Sequence, residues 1–212
     1  SDDGKLAITV SGDGKSVIKN SVEAAAMLYE LYINTPSMKT EIPVDFNRYI
    51  QPDVARQLEQ ITDGQNFFLQ GPGTVESKGV SVEIARHLLD DFFHEVDRIA
   101  KGDRSRAATL RFAHAETIIP FVAILGIKGY DVPLPVSVPY SHASSTWRGK
   151  EVAPMAANIQ WDVLANNENR LVVRMLHNEK ETDFKPQCDT ARLSPASKYY
   201  DYAGLRRCYG WP

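Results

Sequence analysis

Arg111-Phe112-Ala113-His114-Ala115-Glu116-Thr117-Ile118-Ile119-Pro120 joins two kinds of pattern in a few residues. Ala107–Ala113 is a short apolar run of strand length, and Thr117–Leu125 continues at helical density. A strand feeding directly into a helix is the building unit of α/β folds. In open α/β sheets, ligands bind in the crevice beyond the carboxyl ends of the strands. His114 and Glu116 are therefore expected there, beside the positive end of the following helix, which attracts anions such as phosphate. A histidine and a carboxyl group at one phosphate site make a donor and acid pair. The same residues also allow a plainer reading, a capping glutamate and a packed histidine.

Upstream of this junction the chain reads as helical. Val22, Ala25, Leu28 and Tyr32 recur at helical spacing after Ser21, which is expected to be the N-cap. Pro52 suits a first helical position; Val54, Leu58 and Ile61 follow on one face, and Asp63-Gly64 is expected to end that helix. Phe67 to Gly73 reads as a turn into a loop. A long helix is expected from about Val80 to Ala100, with a stripe of Ala85, Leu88, Leu89, Phe92, Val96 and Ile99, broken by Lys101-Gly102-Asp103. Downstream, Pro133, Pro135, Pro139 and Pro154 mark an irregular stretch. Ile159, Trp161 and Val163 then alternate with polar residues, and Leu171–Leu176 returns, so a hairpin turning at Asn166-Asn167-Glu168-Asn169 is expected. The tail, rich in Tyr and Arg, is expected to pack on the surface.

The chain has 212 residues, 43% of them hydrophobic and 24% charged, with a formal net charge of -3. That supports a core for one domain or one and a half. The balance is not basic enough to suggest nucleic acid as a partner. The longest apolar run, Ile118–Ile127, contains Pro120 and is too short to span a bilayer. The opening Ser1-Asp2-Asp3-Gly4 lacks the apolar segment of a secretory leader. A soluble chain, or a soluble piece of something larger, is expected.

Other chemistry is poorly supported. His114-x-Glu116 could open a zinc deaminase signature, but Pro186-Gln187-Cys188 lacks the second cysteine that pattern requires. Arg86-His87 lies within a helix, whereas a nucleophilic histidine belongs at a strand end. His87 and His94 are too far apart for a helical metal pair. His177-Asn178-Glu179 reads as a strand-terminating turn. Cys188 and Cys208 have no nearby histidine and no CxxC pattern, so no metal site is expected. A disulfide and two buried thiols are both open at this point; a disulfide would imply an oxidising compartment.

Arg111 to Pro120 resembles the acid-donor motif of the multiple inositol polyphosphate phosphatases, a branch of the histidine acid phosphatases that uses His-Ala-Glu in place of His-Asp. Glu41–Ile50, Phe67–Gly71 and Leu88-Leu89-Asp90-Asp91-Phe92 resemble the helical domain of that family. Val152–Asn158, Val172–Glu179 and the Cys188…Cys208 tail resemble its last strands and terminus. The likeness begins near Val22, and only His-Ala-Glu is highly specific. The resemblance implies an α/β histidine-phosphatase (phosphoglycerate mutase-like) fold with a mostly parallel sheet and a helical cap. On this view residues 1–106 are mostly cap and 107–212 are the C-terminal part of the α/β domain.

The resemblance further implies that Glu116 is the general acid and that His114, with Ala115, contacts the substrate phosphate. It implies a Cys188–Cys208 disulfide, no metal or organic cofactor, inositol polyphosphate such as phytate as substrate, and a secreted, periplasmic or ER-lumenal location. The nucleophile of such enzymes is a histidine in Arg-His-Gly-x-Arg-x-Pro, and no Arg-His-Gly occurs in these 212 residues. A fragment, or one product of a nicked enzyme, is therefore expected, partnered by the N-terminal part of the same enzyme. The alternative is a non-catalytic phosphate-binding or interaction module of the same fold.

Overall fold

A computed structural model of the chain describes residues 8–9, 17–18, 20–41, 43–166 and 170–212. Two compact units divide at 62/63. In the first, β1 (Ile8–Thr9) pairs antiparallel with β2 (Val17–Ile18), followed by α1 (Ser21–Asn34). The N-cap of α1 is Asn20 rather than Ser21: Asn20 is extended, and its side-chain oxygen accepts from the Glu23 amide at 2.9 Å. α2 (Pro52–Leu69) begins in this unit. Tyr29, Ile50 and Ala55 form a small core there with Leu28, Tyr32 and Leu58.

The expected stop at Asp63-Gly64 does not occur, and α2 runs on to Leu69. Asp63 is buried and accepts from His142 Nε2 at 2.9 Å and from the Gly149 amide at 3.0 Å. Gly64 lies under the Tyr140 ring; a Cβ there would come within 3.0 Å of Tyr140 Cδ1. Both residues serve packing rather than termination. Chain reversal comes later, where the Gly71 amide bonds the Asn66 carbonyl at 2.8 Å and Gly73 takes φ +65°.

The expected long helix is a 3-10 turn, Glu83–Ala85, leading into α3 (Arg86–Ala100). α3 buries Leu89, Phe93 and Val96. Phe93, absent from the predicted stripe, meets Trp161, Tyr209 and Trp211 at ring-centre distances of 5.2, 5.6 and 5.4 Å. α4 (Ala115–Leu125) follows and ends at Gly126, which takes the left-handed conformation at φ 69°. α5 (Gly149–Val152) is a single short turn.

β3 (Ile159–Ala165) and β4 (Leu171–His177) form the expected hairpin in antiparallel register, with Trp161 opposite Met175. Asn166 bonds Arg170 across its end; turn residues 167–169 lie outside the described residues. Asn178 and Glu179, at φ 50° and 66°, turn β4 into β5 (Lys180–Thr182). That places His177-Asn178-Glu179 at a strand-ending turn, as its sequence suggests. β6 (Tyr199–Asp201) also pairs with β4. The named strands pair only antiparallel, and the parallel bridge between Thr74 and Leu134 is isolated, so the parallel strands expected of a complete α/β sheet are not among the described residues.

The tail does not lie on the surface as expected. Tyr200 and Leu205 are fully buried, Tyr202 nearly so, and α6 (Tyr202–Tyr209) closes the core. Tyr202 Oη donates to Asp97 Oδ1 at 2.5 Å, and Trp211 Nε1 to Asp97 Oδ2 at 3.0 Å, tying the tail to α3. Tyr209 Oη reaches the Leu125 carbonyl at 2.6 Å, tying it to the end of α4. Cys188 and Cys208 are joined in a disulfide with Cα atoms 5.3 Å apart.

Candidate functional site

Sequence and structure differ most at the junction of residues 107–117. Residues 107–113 do not form a strand. No backbone hydrogen bond reaches residues 106–113 among the described residues. All are exposed, with Leu110 at 76% and Phe112 at 93%. A strand exists only by pairing, and this segment has no paired neighbour here. β3 is likewise an edge strand, bonded to β4 on one side only. Between the segment and β3 opens a cavity of about 770 Å³, lined by residues 106–111, by Phe92, Val96 and Ile99 of α3, and by residues 158–164. Neither His114 nor Glu116 lines it. Besides the unpaired segment and the free strand edge, Glu95, Arg98, Asp162, Arg174 and Tyr199 line it, so its walls are partly charged; a free strand edge is a template for pairing with a further strand.

His114 occupies the N-cap of α4 with extended backbone, and its carbonyl accepts from the Thr117 and Ile118 amides at 3.0 and 3.3 Å. Its imidazole makes no capping bond and is exposed. The packed histidine of the plainer reading is therefore not what the fold builds. Glu116 is exposed in the first turn of α4. Among the described residues neither side chain has a hydrogen-bond or ion-pair partner. The first amides of a helix have no intrahelical acceptors, so those of Ala115 and Glu116 stand open with the positive end of the helix dipole. Pro120 lacks an N–H, so the Glu116 carbonyl has no donor one turn on. The rear of the helix is rigid: Ile119, Phe121, Val122 and Leu125 are buried, and Phe121 packs on Phe92 at 5.0 Å. A firmly held helix thus presents an imidazole, a carboxyl group and open amides to solvent. That set can bind a phosphate and exchange a proton with it.

The other candidate positions lie elsewhere. Arg86, at the start of α3, pairs with Glu83 Oε1 at 3.0 Å, and His87 is exposed. His177 is buried, bonding the Val152 carbonyl at 2.8 Å. No cluster among the described residues could hold a metal ion. No described helix is long and apolar enough to cross a membrane.

Residues 18–178 match the family model of the histidine phosphatase superfamily, branch 2. The chain belongs to this superfamily, and its mixed helix-and-sheet architecture is that of the fold. Within it the likeness is to multiple inositol polyphosphate phosphatases. The chain is 26% identical over 166 residues to multiple inositol polyphosphate phosphatase 1 of Gallus gallus, covering 73% of this chain and 36% of that protein. The Bifidobacterium longum multiple inositol polyphosphate phosphatase, solved with inositol hexasulfate, superposes with a TM-score of 0.81 at 36% identity. That match covers 93% of this chain and 40% of the solved one. The same enzyme solved with phosphate gives 0.81 at 35% identity, covering 42% of its chain. The chain therefore spans well under half the length of these relatives.

Proposed function

We propose that this chain is the C-terminal part of a phosphomonoesterase that hydrolyses inositol polyphosphates such as phytate and that it supplies the general acid. The observation that carries this reading is the exposed, unpartnered His114–Glu116 pair at the start of α4, on a chain of the histidine phosphatase superfamily. His114 and the Ala115 amide hold the phosphate. A histidine from an Arg-His-Gly segment outside these 212 residues attacks phosphorus. As the phosphohistidine bond forms and the P–O ester bond breaks, Glu116 gives its proton to the departing alkoxide. Inositol alkoxides are poor leaving groups, so this proton matters. Water then attacks the phosphohistidine, returning a proton to Glu116 and releasing phosphate.

The free edge of β3 and the unpaired 107–113 segment support a second polypeptide segment, the N-terminal part of the same enzyme, as partner. In the complete enzyme we assign residues 1–106 to the helical cap and 107–212 to the C-terminal part of the α/β domain, meeting where Phe93 packs on Trp161. The disulfide favours an oxidising location: secreted, periplasmic or ER-lumenal. The absence of Arg-His-Gly favours a second reading for the isolated chain, a non-catalytic phosphate-binding module.

The test compares kcat/KM for an inositol phosphate and an activated aryl phosphate in the complete enzyme. Glu116→Gln should slow the first by roughly 100- to 10,000-fold and the second far less. His114→Ala should slow both, because a phosphate contact acts whatever leaves. Equal losses in Glu116→Gln would remove Glu116 as leaving-group acid. The isolated chain should show no turnover while still binding phosphate weakly; turnover by a verified single chain contradicts the division of labour.

A further inference from the structure

Residues 106–113 have no backbone bonds among the described residues, yet they lead directly into the helix that carries Glu116. Side chains hold them instead. Arg111 Nε donates to Asp91 Oδ2, Thr109 Oγ1 donates to Glu95 Oε2 at 2.8 Å, and Arg106 lies 3.5 Å from Glu95 Oε1. The two spacings agree. Asp91 and Glu95 are one α-helical turn apart, about 6 Å of rise. Thr109 and Arg111 are alternate residues, which an extended chain separates by roughly 7 Å. The higher-numbered residue meets the lower-numbered acid, so the segment runs antiparallel to α3. A slip of one residue would bring Leu110 and Phe112 to the acids and leave both carboxylates unmatched.

Arg111 has a second hold. Its guanidinium lies over the Phe92 ring, 5.0 Å from the centroid, and Phe92 packs on Phe121 of α4 at 5.0 Å. One side chain thus links the approach to the site, the acidic face of α3 and the aromatic cluster beneath α4. Lysine could keep the charge but not the planar stack with a directed Nε bond.

We propose that Arg111, held by Asp91 and Phe92, is the positioning residue for Glu116, fixing where its carboxyl group meets the leaving oxygen. The proposal rests on the acid role argued above. A misplacement of about 1 Å at a reacting group can cost about 100-fold in rate. Such a loss should appear only where the acid matters.

The experiment uses the complete enzyme with Arg111→Met, Arg111→Lys and Asp91→Asn, each alone and combined with Glu116→Gln. Arg111→Met should lower kcat for an inositol phosphate by up to about 100-fold with little change in KM, and lower kcat for an activated aryl phosphate only slightly. Arg111→Lys and Asp91→Asn should show the same selectivity to a smaller degree. On the Glu116→Gln background Arg111→Met should add almost nothing. Equal losses on both substrates, or full additivity with Glu116→Gln, overturn the proposal while leaving the acid role intact. Equal losses in Glu116→Gln alone overturn the acid role and the proposal with it. Should Arg111→Met fail to fold, Asp91→Asn decides, since it leaves the Arg111 stack on Phe92 in place.

Discussion

Asp63 shows how a single residue can mislead a local reading. Next to Gly64 it looks like helix punctuation, because aspartate and glycine both favour turns. In the fold it is 5% exposed and serves two donors, the Gly149 amide and the His142 ring. Asp63→Ala should lower stability by about 1–3 kcal/mol, because it leaves the half-buried Gly149 amide without its acceptor. Chemical denaturation measures this; a change within error would mean the 140–149 loop holds itself.

His177 is the matching case for pH. Burial holds its imidazole below the ordinary value, opposed by the bond to the Val152 carbonyl. The unfolded chain then binds the proton more readily than the folded one. Its stabilising contribution is complete above about pH 6.5 and is lost as pH falls from there toward the lowered folded value. The thermal midpoint should decline from about pH 7 to pH 5, and His177→Gln should flatten that decline. An unchanged slope in the variant would assign the decline to other groups. His114 and Glu116, by contrast, are candidate site residues read from a motif at a helix start, and that start is exposed.

At the scale of elements, patterns that a segment satisfies by itself were readable. α3, α4 and the β3–β4 hairpin follow from helical or alternating periodicity within their own residues. The tail is core although its Tyr and Arg residues by themselves favour a surface. Here Tyr200 is enclosed by Phe184 at 4.9 Å and by the Arg192 guanidinium at 4.8 Å, contacts to residues outside β6. The tail also carries a close approach that no periodicity signals. A Cβ on Gly204 of α6 would lie 2.5 Å from Ala191 Cβ. Gly204→Ala should therefore destabilise by about 1–3 kcal/mol, overriding a helix-propensity gain of about 1 kcal/mol. The Cys188–Cys208 bond ties α6 to the same 3-10 turn, Pro186–Ala191, and its removal should cost roughly 3 kcal/mol. Unfolding curves of Gly204→Ala and of the Cys188→Ser/Cys208→Ser double variant check both; a stabilised Gly204→Ala protein would show that α6 can shift freely.

For the whole molecule, the expectation concerns edges. Backbone groups without partners exchange hydrogen readily, and pairing protects them. The amides of 107–113 and the outer edge of β3 should exchange fast in the isolated chain and slowly in the complete enzyme. Protection of 107–113 in the isolated chain, measured by hydrogen exchange with mass spectrometry, would mean that it pairs without the proposed partner. The sequence by itself determined that α1 to α4 and the hairpin exist, the family, and the place of the His114–Glu116 motif at the start of α4, because each rests on residues near one another in the chain. Only the tertiary structure decided that α2 passes through Asp63-Gly64, that the tail is core, and that 107–113 stands unpaired beside α3. Those outcomes depend on partners distant in sequence: Tyr140 and Gly149 for α2, Phe184 and Asp97 for the tail, Asp91 and Glu95 for the segment. A strand's pattern is local, but its hydrogen bonds belong to its neighbours, and no reading of residues 107–113 alone can supply them.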